Sequence, residues 1–412
     1  DASAGENGNT GAFTFRRTGD LSVGLIVQYA VSGTAGNGTD YELLSGTAIF
    51  AEGAATTTVT VNPIDDTLEE GNETIRIDLA TAMHYSNAFN STTAVITLAD
   101  NDAPQNLGTL SWSQKASNPV PRSEGYGAVV GGRLYTFGGY LNSQYRPSKV
   151  AHVYDPATNR WTQLRDAPLE LTHAAAAHDD RYIYVAGGYP PGSAGPNGPQ
   201  AFASNRVFRY DTTNDTWISL PNLPAARGSG QMVLIGRTLY FFGGSDAARK
   251  DRADHWALNL DNLSAGWITR APMPAARNHF GAAAVGGFAY AVGGQTGQDL
   301  QAVFHANVYR YDPVSNTWTS VASLPSPARS HANASTFVHK GRILSIGGEV
   351  ANYSPVAHVD AYNPATNTWS RLTALPTRTT AGIAASFGDT IIFTTGAAGG
   401  QFRGTTWIGS FT

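Results

Sequence analysis

The sequence predicts an all-β chain in two parts, an antiparallel sandwich over residues 1–102 and a repeat-built domain over 109–412. Three observations predict it. Short runs that alternate apolar and polar residues fill the first segment. A glycine pair and a tryptophan each recur at roughly fifty-residue intervals through the second. Gly (45) and Pro (21) are plentiful enough for a turn-rich β protein, yet fall well short of collagen or low-complexity sequence.

Composition excludes several classes. Hydrophobic residues make up 42% and charged residues 14%, the reverse of a disordered chain. With no cysteine, a disulfide scaffold, a thiolate metal site, a cysteine nucleophile and an iron–sulfur cluster are ruled out. Secretion remains compatible, because large exported proteins do without disulfides. A start at Asp1 reads as signal-peptide removal or excision from a longer chain. The long uncharged stretch Phe280 to Gln298 is broken by glycines and reads as strands and turns, so no membrane span is expected.

The net charge of −4 hides an asymmetry. Residues 1–102 carry 14 Asp/Glu against 3 Arg, a net of −11, and the remainder carries 17 against 24 basic residues, a net of +7. Opposite electrostatics imply two domains with different partners. Only 4 of the 27 basic residues are Lys and the excess is modest, which argues against nucleic acid.

In the first segment the strand runs are Phe13–Phe15, Leu25–Val31, Thr47–Phe50, Thr57–Val61, Ile75–Leu79 and Ala94–Leu98. Acidic clusters mark the turns: Glu6, Asp40, Asp65-Asp66, Glu69-Glu70, Glu73 and Asp100-Asn101-Asp102. Carboxylates gathered at one end of a sandwich repel, and a hard divalent cation with oxygen ligands, above all Ca²⁺, offsets that cost. Gly-Thr-Asp-Tyr (38–41), Val-Asn-Pro-Ile-Asp-Asp (61–66), Glu-Glu-Gly-Asn-Glu-Thr (69–74) and Ala-Asp-Asn-Asp (99–102) resemble the Calx-beta domain. The resemblance implies an immunoglobulin-like sandwich that binds calcium, with Glu6, Asp40, Asp65, Asp66, Glu70, Glu73, Asp100 and Asp102 as candidate ligands. About eight residues of the usual first strand are missing, so an open edge, or one covered by a neighbour, is expected.

Residues 103–108 form a short linker. Beyond it, glycine pairs stand at 138–139, 187–188, 243–244, 293–294 and 347–348, with a degenerate Gly396-Ala397. A tryptophan ladder runs through Trp112, Trp161, Trp217, Trp267, Trp318 and Trp369, and Tyr154-Asp155-Pro156 and Tyr311-Asp312-Pro313 lie between the two signals. This order resembles Kelch repeats, which implies a six-bladed β-propeller of four-stranded blades. Trp112 has no preceding glycine pair, and Thr405–Thr412 ends one strand short. Residues about 109–118 are therefore expected to close the final blade.

Each Trp strand leads into a loop toward the axis. Arg122, Arg227, Arg277, Arg329 and Arg378 are read as occupying one pseudo-symmetric position, with Leu171 in the second blade. Such a ring suits carboxylate, sulfate or phosphate, and in Kelch proteins that bind acidic peptides comparable arginines do so. His279 and His331, two residues on, join the candidate ligand-binding set. His173, His279 and His331 lie on blades two, four and five, so no simple symmetric metal cluster is expected. Copper-radical oxidase chemistry is closed by the missing cysteine. Glu124, Glu170 and Glu349 are the available acid/base components, but no dyad is marked.

The expected function is that of a secreted or cell-surface bacterial adhesion protein. Its sandwich binds calcium, and its propeller takes an anionic glycan or protein partner. Two rivals stand beside it. One is a fibre or sheath subunit that assembles with copies of itself by sandwich-to-propeller contacts; the other is a carbohydrate-modifying enzyme.

Overall fold

The computed structural model describes residues 1–65, 72–82, 85–86, 92–101, 107–141, 145–192 and 200–412. Two compact units emerge, one over Asp1–Asn106 and one beginning at Leu107. Among the described residues there is no α-helix, only three single turns of 3-10 helix and strands.

The first unit contains β1 (Ser3–Gly5), β2 (Gly11–Arg16), β3 (Leu25–Gly33), β4 (Thr47–Phe50), β5 (Thr56–Val61), β6 (Glu73–Leu79) and β7 (Thr93–Ala99). A five-stranded sheet in the order β1-β7-β6-β3-β4 accompanies the pair β2-β5. Period-2 alternation sends Phe13, Phe15, Val27, Tyr29, Ile75, Ile77, Ile96 and Leu98 into one core. Burial of each such side chain contributes about 1.5–3 kcal/mol. The edge expected to be open is short but paired, since β1 runs parallel to β7 with Gly5 opposite Ala99. Its Ser-Ala-Gly sequence carries no alternation by which to foresee it.

Among the described residues, the second unit contains six four-stranded antiparallel sheets, the blades, and two short two-stranded pairs. Blade 1 runs from its inner strand Tyr126–Val130 through Arg133–Phe137 and Ala151–Asp155 to Arg160–Gln163. Blade 6 takes three strands from the C-terminal end and its outer strand, Leu110–Lys115, from the start of the unit. Gly409 pairs with Trp112 and Phe411 with Leu110, so the two ends of the propeller share one sheet.

Tryptophans tie neighbouring blades. Trp161, Trp318 and Trp369 donate their indole N–H to the carbonyls of Ala116, Ala271 and Ala322 at 2.8, 2.9 and 2.8 Å. The same alanines donate their own N–H to Asn159, Asn316 and Asn367. Each of these asparagines also accepts from the tyrosine of its own blade, Tyr154, Tyr311 or Tyr362. The Tyr…Asn…Trp spacing is thus an inter-blade clamp. The glycine pairs serve a different need: at Gly139 φ is +88°, and a Cβ would lie 2.7 Å from the Ser123 carbonyl oxygen.

Candidate functional site

Six residues, one per blade, line the propeller axis with φ between 50° and 55°: Glu124, His173, Ser229, His279, His331 and Ala381. A left-handed backbone at a non-glycine residue costs on the order of 1 kcal/mol or more. Here a closed ring of backbone hydrogen bonds holds it. His173 N donates to Glu124 O, Ser229 N to His173 O, His279 N to Ser229 O, His331 N to His279 O, Ala381 N to His331 O and Glu124 N to Ala381 O, all at 3.0–3.2 Å. A second layer comes from the residue after each glycine pair, whose place in blade 6 is taken by Thr395-Gly396. Tyr140, Tyr189, Ser245, Gln295, Glu349 and Ala397 form bridges with the residues just before the ring positions.

Above the ring lies a cavity of about 320 Å³ whose lining includes Glu124, Tyr140, His173, Tyr189, Gln295 and Glu349. At its rim, Arg249 pairs with Asp299 at 2.9 Å and lies 4.4 Å from the Phe202 ring centre. Asn352 donates to the Asp299 carbonyl at 2.5 Å. Tyr145 and Tyr353 also line the rim, with 50% and 75% of their surfaces exposed. They are neighbours: Tyr145 is the main cause that holds the Tyr353 phenol above its ordinary range.

The floor is poised electrostatically. Burial, and secondarily the charge of Glu349, pushes the Glu124 carboxyl up to about 8. Burial holds His173 and His279 well below the usual histidine range, and His331 below it. Near neutral pH the floor therefore carries neutral imidazoles beside a largely protonated carboxyl. His173 Nε2 is 3.5 Å from Glu124 Oε2, and His331 Nε2 is 3.8 Å from Glu124 Oε1. The rings of His279 and His331 stack at 4.1 Å, and His173 meets His279 edge-on at 4.9 Å.

This geometry corrects two expectations. The arginine set does not line the axial mouth. Arg122 donates to the carbonyls of Gly138 and Val150 at 3.1 and 2.9 Å, and Arg277 to those of Gly293 and Asn307 at 2.7 and 3.1 Å. Arg329 pairs with fully buried Asp360 at 2.6 Å, and Arg227 with Asp254. These guanidiniums satisfy carbonyls and carboxylates within the blade walls. Arg378 is out of register and exposed, since the position equivalent to the four arginines is Thr379, whose carbonyl accepts from Gly348 N. The histidines come into ring contact, His279 with both His173 and His331, but among the described residues they form no symmetric three-histidine set, as expected.

Of the acid/base components, Glu124 and Glu349 line the cavity, whereas Glu170 is half-buried outside its lining. Sequence reasoning missed Tyr140, Tyr189, Gln295 and Arg249. The signal for the first three is the position directly after each glycine pair.

In the sandwich, Gly5 lies opposite Ala99 and Glu73 opposite Leu98, so Glu6, Glu73 and Asp100 share one end of the sheet. Ile64 N donates to the Asp40 carbonyl at 3.0 Å, and Asn101 Nδ2 to Asp65 Oδ1 at 3.0 Å. Asp40 and Asp65 join the same end through these bonds. Glu6 and Glu73 are 5% exposed. The charges of Asp40 and Glu73, after burial, push the Tyr41 hydroxyl upward. Oxygen is the donor type that calcium takes, and these carboxylates gather at one end of the sandwich. Asp66, Glu70 and Asp102 lie outside the described residues.

A family model described as the KLHDC2/KLHL20/DRC7 Kelch-repeats domain matches residues 173–396, and a Kelch motif matches 125–168. A Calx-beta domain model matches 2–102. The chain is similar to Kelch repeat-containing protein At3g27220 of Arabidopsis thaliana, 27% identical over 72% of each chain. It is 29% identical to Kelch-like protein terF of Aspergillus terreus over 63% of this chain, and spans 57% of that protein. A solved structure named "Structure of YjhT" superposes with a TM-score of 0.59 at 16% identity, covering 71% of this chain and 96% of that one. That likeness shows the fold alone.

Proposed function

This chain belongs to the Kelch-repeat family, with a Calx-beta domain ahead of its propeller, and from that premise we propose that it is a recognition protein whose axial cavity binds a glycan. The observation that carries the reading is the cavity itself. Exposed aromatic faces at Tyr145 and Tyr353 suit the apolar face of a sugar ring, and Gln295, Gln298, Asn352 and Arg249 suit its hydroxyls. Arg249, paired with Asp299 at the rim, joins that pair to the polar groups that would meet the sugar hydroxyls. The sandwich is proposed to hold calcium through Glu6, Asp40, Asp65, Glu73 and Asp100, with Asp66, Glu70 and Asp102 completing the set. Calcium then rigidifies an acidic domain that presents the propeller outside the cell, on a bacterial surface.

The test is a glycan array probed with the full chain, followed by calorimetry on any hit. Glycan binding that weakens at least tenfold in Tyr353→Ala supports the reading. Binding confined to acidic peptides, or unchanged in that variant, sinks it.

A second reading, a carbohydrate-modifying enzyme, is favoured by one observation: Glu124 is a buried proton donor beside neutral His331 and within the field of Glu349. Turnover of a bound sugar that is lost in Glu124→Gln would establish it.

A further inference from the structure

The floor of the cavity carries a feature that sugar recognition does not need. Donor atoms of Glu124, His173 and His279, all buried, lie within 4.8 Å of one another. They come from blades 1, 2 and 4, and each side chain projects from a backbone position locked by the axial ring.

The imidazoles are held as ligands are held. His173 Nδ1 is 2.8 Å from Thr172 Oγ1, and His279 Nδ1 is hydrogen-bonded to Asn278 Oδ1. The Asn278 amide cannot be reversed without loss, because its Nδ2 donates to Asp251 Oδ1 and the Gly297 carbonyl. Its oxygen therefore accepts, His279 Nδ1 carries the proton, and the Nε2 lone pair is left facing the Ser229 hydroxyl at 3.2 Å, a contact that a metal would have to replace. Anchoring one ring nitrogen by a neighbouring acceptor is the usual support of a metal-bound histidine. His173 is held by the hydroxyl of the residue before it, which can accept from Nδ1, and its Nε2 faces Glu124.

Glu124 supplies the independent observation. It is 5% exposed, and its buried Oε2 makes no hydrogen bond. A buried carboxyl oxygen with no donor is accommodated by a proton in the metal-free floor, or by a cation that displaces that proton. Its 3.5 Å separation from His173 Nε2 is close to the edge of about 3.4 Å in a tetrahedral site with bonds of about 2.1 Å.

We infer that Glu124, His173 and His279 bind one divalent first-row transition-metal ion at the floor of the axial cavity. Two imidazoles and one carboxylate select such an ion over calcium or magnesium, which take oxygen ligands. The remaining coordination positions face the cavity. The site deepens the glycan reading only in sharing its cavity: a bound metal would meet a hydroxyl or carboxylate of the occupant. It also commits Glu124 to the ionised form, which is incompatible with its use as a proton donor.

The test uses the full chain, stripped with chelator and re-equilibrated in excess calcium so that the sandwich does not compete. Zn²⁺ and Co²⁺ are then added without any sugar, so this inference and the glycan reading can fail separately. One Zn²⁺ per chain is expected, weakened at least a hundredfold in Glu124→Gln and in His173→Gln, and unchanged in His178→Gln, an exposed histidine away from the cavity. Equal zinc affinity in the wild-type, Glu124→Gln and His173→Gln chains overturns the inference, as does less than one-tenth of an equivalent in the wild type. If the variants do not fold, the wild-type Co²⁺ spectrum decides. Intense visible bands of a nitrogen-ligated, low-coordinate ion support the site, and the weak bands of an all-oxygen octahedral ion refute it.

Discussion

Glu124 Oε2 and His173 Nε2 face each other at 3.5 Å, although the two residues lie a full repeat apart in the chain. Neighbouring blades carry them at equivalent ring positions, and the His173 N–H donates to the Glu124 carbonyl at 3.1 Å. Backbone and side chain thus make the same inter-blade connection. What a propeller holds rigid for closure, it also holds rigid for chemistry.

Arg329 tests whether the arginines are structural. Its pairing with Asp360 is buried on both sides. Arg329→Ala leaves the buried Asp360 charge with only the half-exposed Arg371 to pair it, and is expected to cost about 2–3 kcal/mol in chemical denaturation. Arg378→Ala, at an exposed position, is expected to stay within about 0.5 kcal/mol of the parent. Equal effects of the two changes would contradict the wall assignment.

The inter-blade clamp predicts a second large cost. Asn316 accepts from the Tyr311 hydroxyl at 2.7 Å and from Ala271 N at 2.9 Å, and its φ is +56°. Asn316→Ala forfeits two hydrogen bonds and places alanine in a left-handed conformation. A loss of about 2–3 kcal/mol is expected in urea unfolding; a loss below about 0.5 kcal/mol would show that the clamp contributes little.

Closure of the ring is testable at Gly409. A Cβ there would lie 2.8 Å from both Ile391 Cγ1 and Leu110 Cδ1. Gly409→Ala is expected to destabilise by about 1–3 kcal/mol and to speed hydrogen exchange along Leu110–Lys115. Unaltered exchange in that strand would mean the closing pair absorbs the methyl.

Acid should weaken the propeller through His255. This fully buried ring packs 4.4 Å from Tyr311, and burial pushes it down to about 4. The folded state favours neutral imidazole, so the stabilisation is fully present above about 6.5 and is lost as pH falls toward about 4. Over that window the loss from this group is on the order of 3 kcal/mol. His255→Phe should flatten the corresponding part of the stability–pH curve, measured by denaturant midpoints from pH 7 to 4.

Calcium predicts a split in thermal behaviour. Chelation is expected to lower the melting temperature of the sandwich and leave the propeller nearly unchanged. Glu73→Gln should reduce the calcium-induced shift. Identical melting of the sandwich with and without chelator would remove the calcium assignment.

The recurrence of glycine pairs and tryptophans determined six blades, and the unpaired Trp112 unit determined how the ring closes. Both follow from strand register and period, which are local properties of the chain. The acidic turn motifs likewise placed Glu6, Asp40, Glu73 and Asp100 together, because strand ends in a sandwich must lie at one end or the other. Only the tertiary structure decided which way the loop side chains face. Arg122, Arg277 and Arg329 find carbonyls or a carboxylate in the blade walls, and the residue two positions on turns inward through a positive φ. Direction around an axis depends on neighbours a whole repeat away, so no spacing within one repeat records that Glu124, His173 and His279 meet.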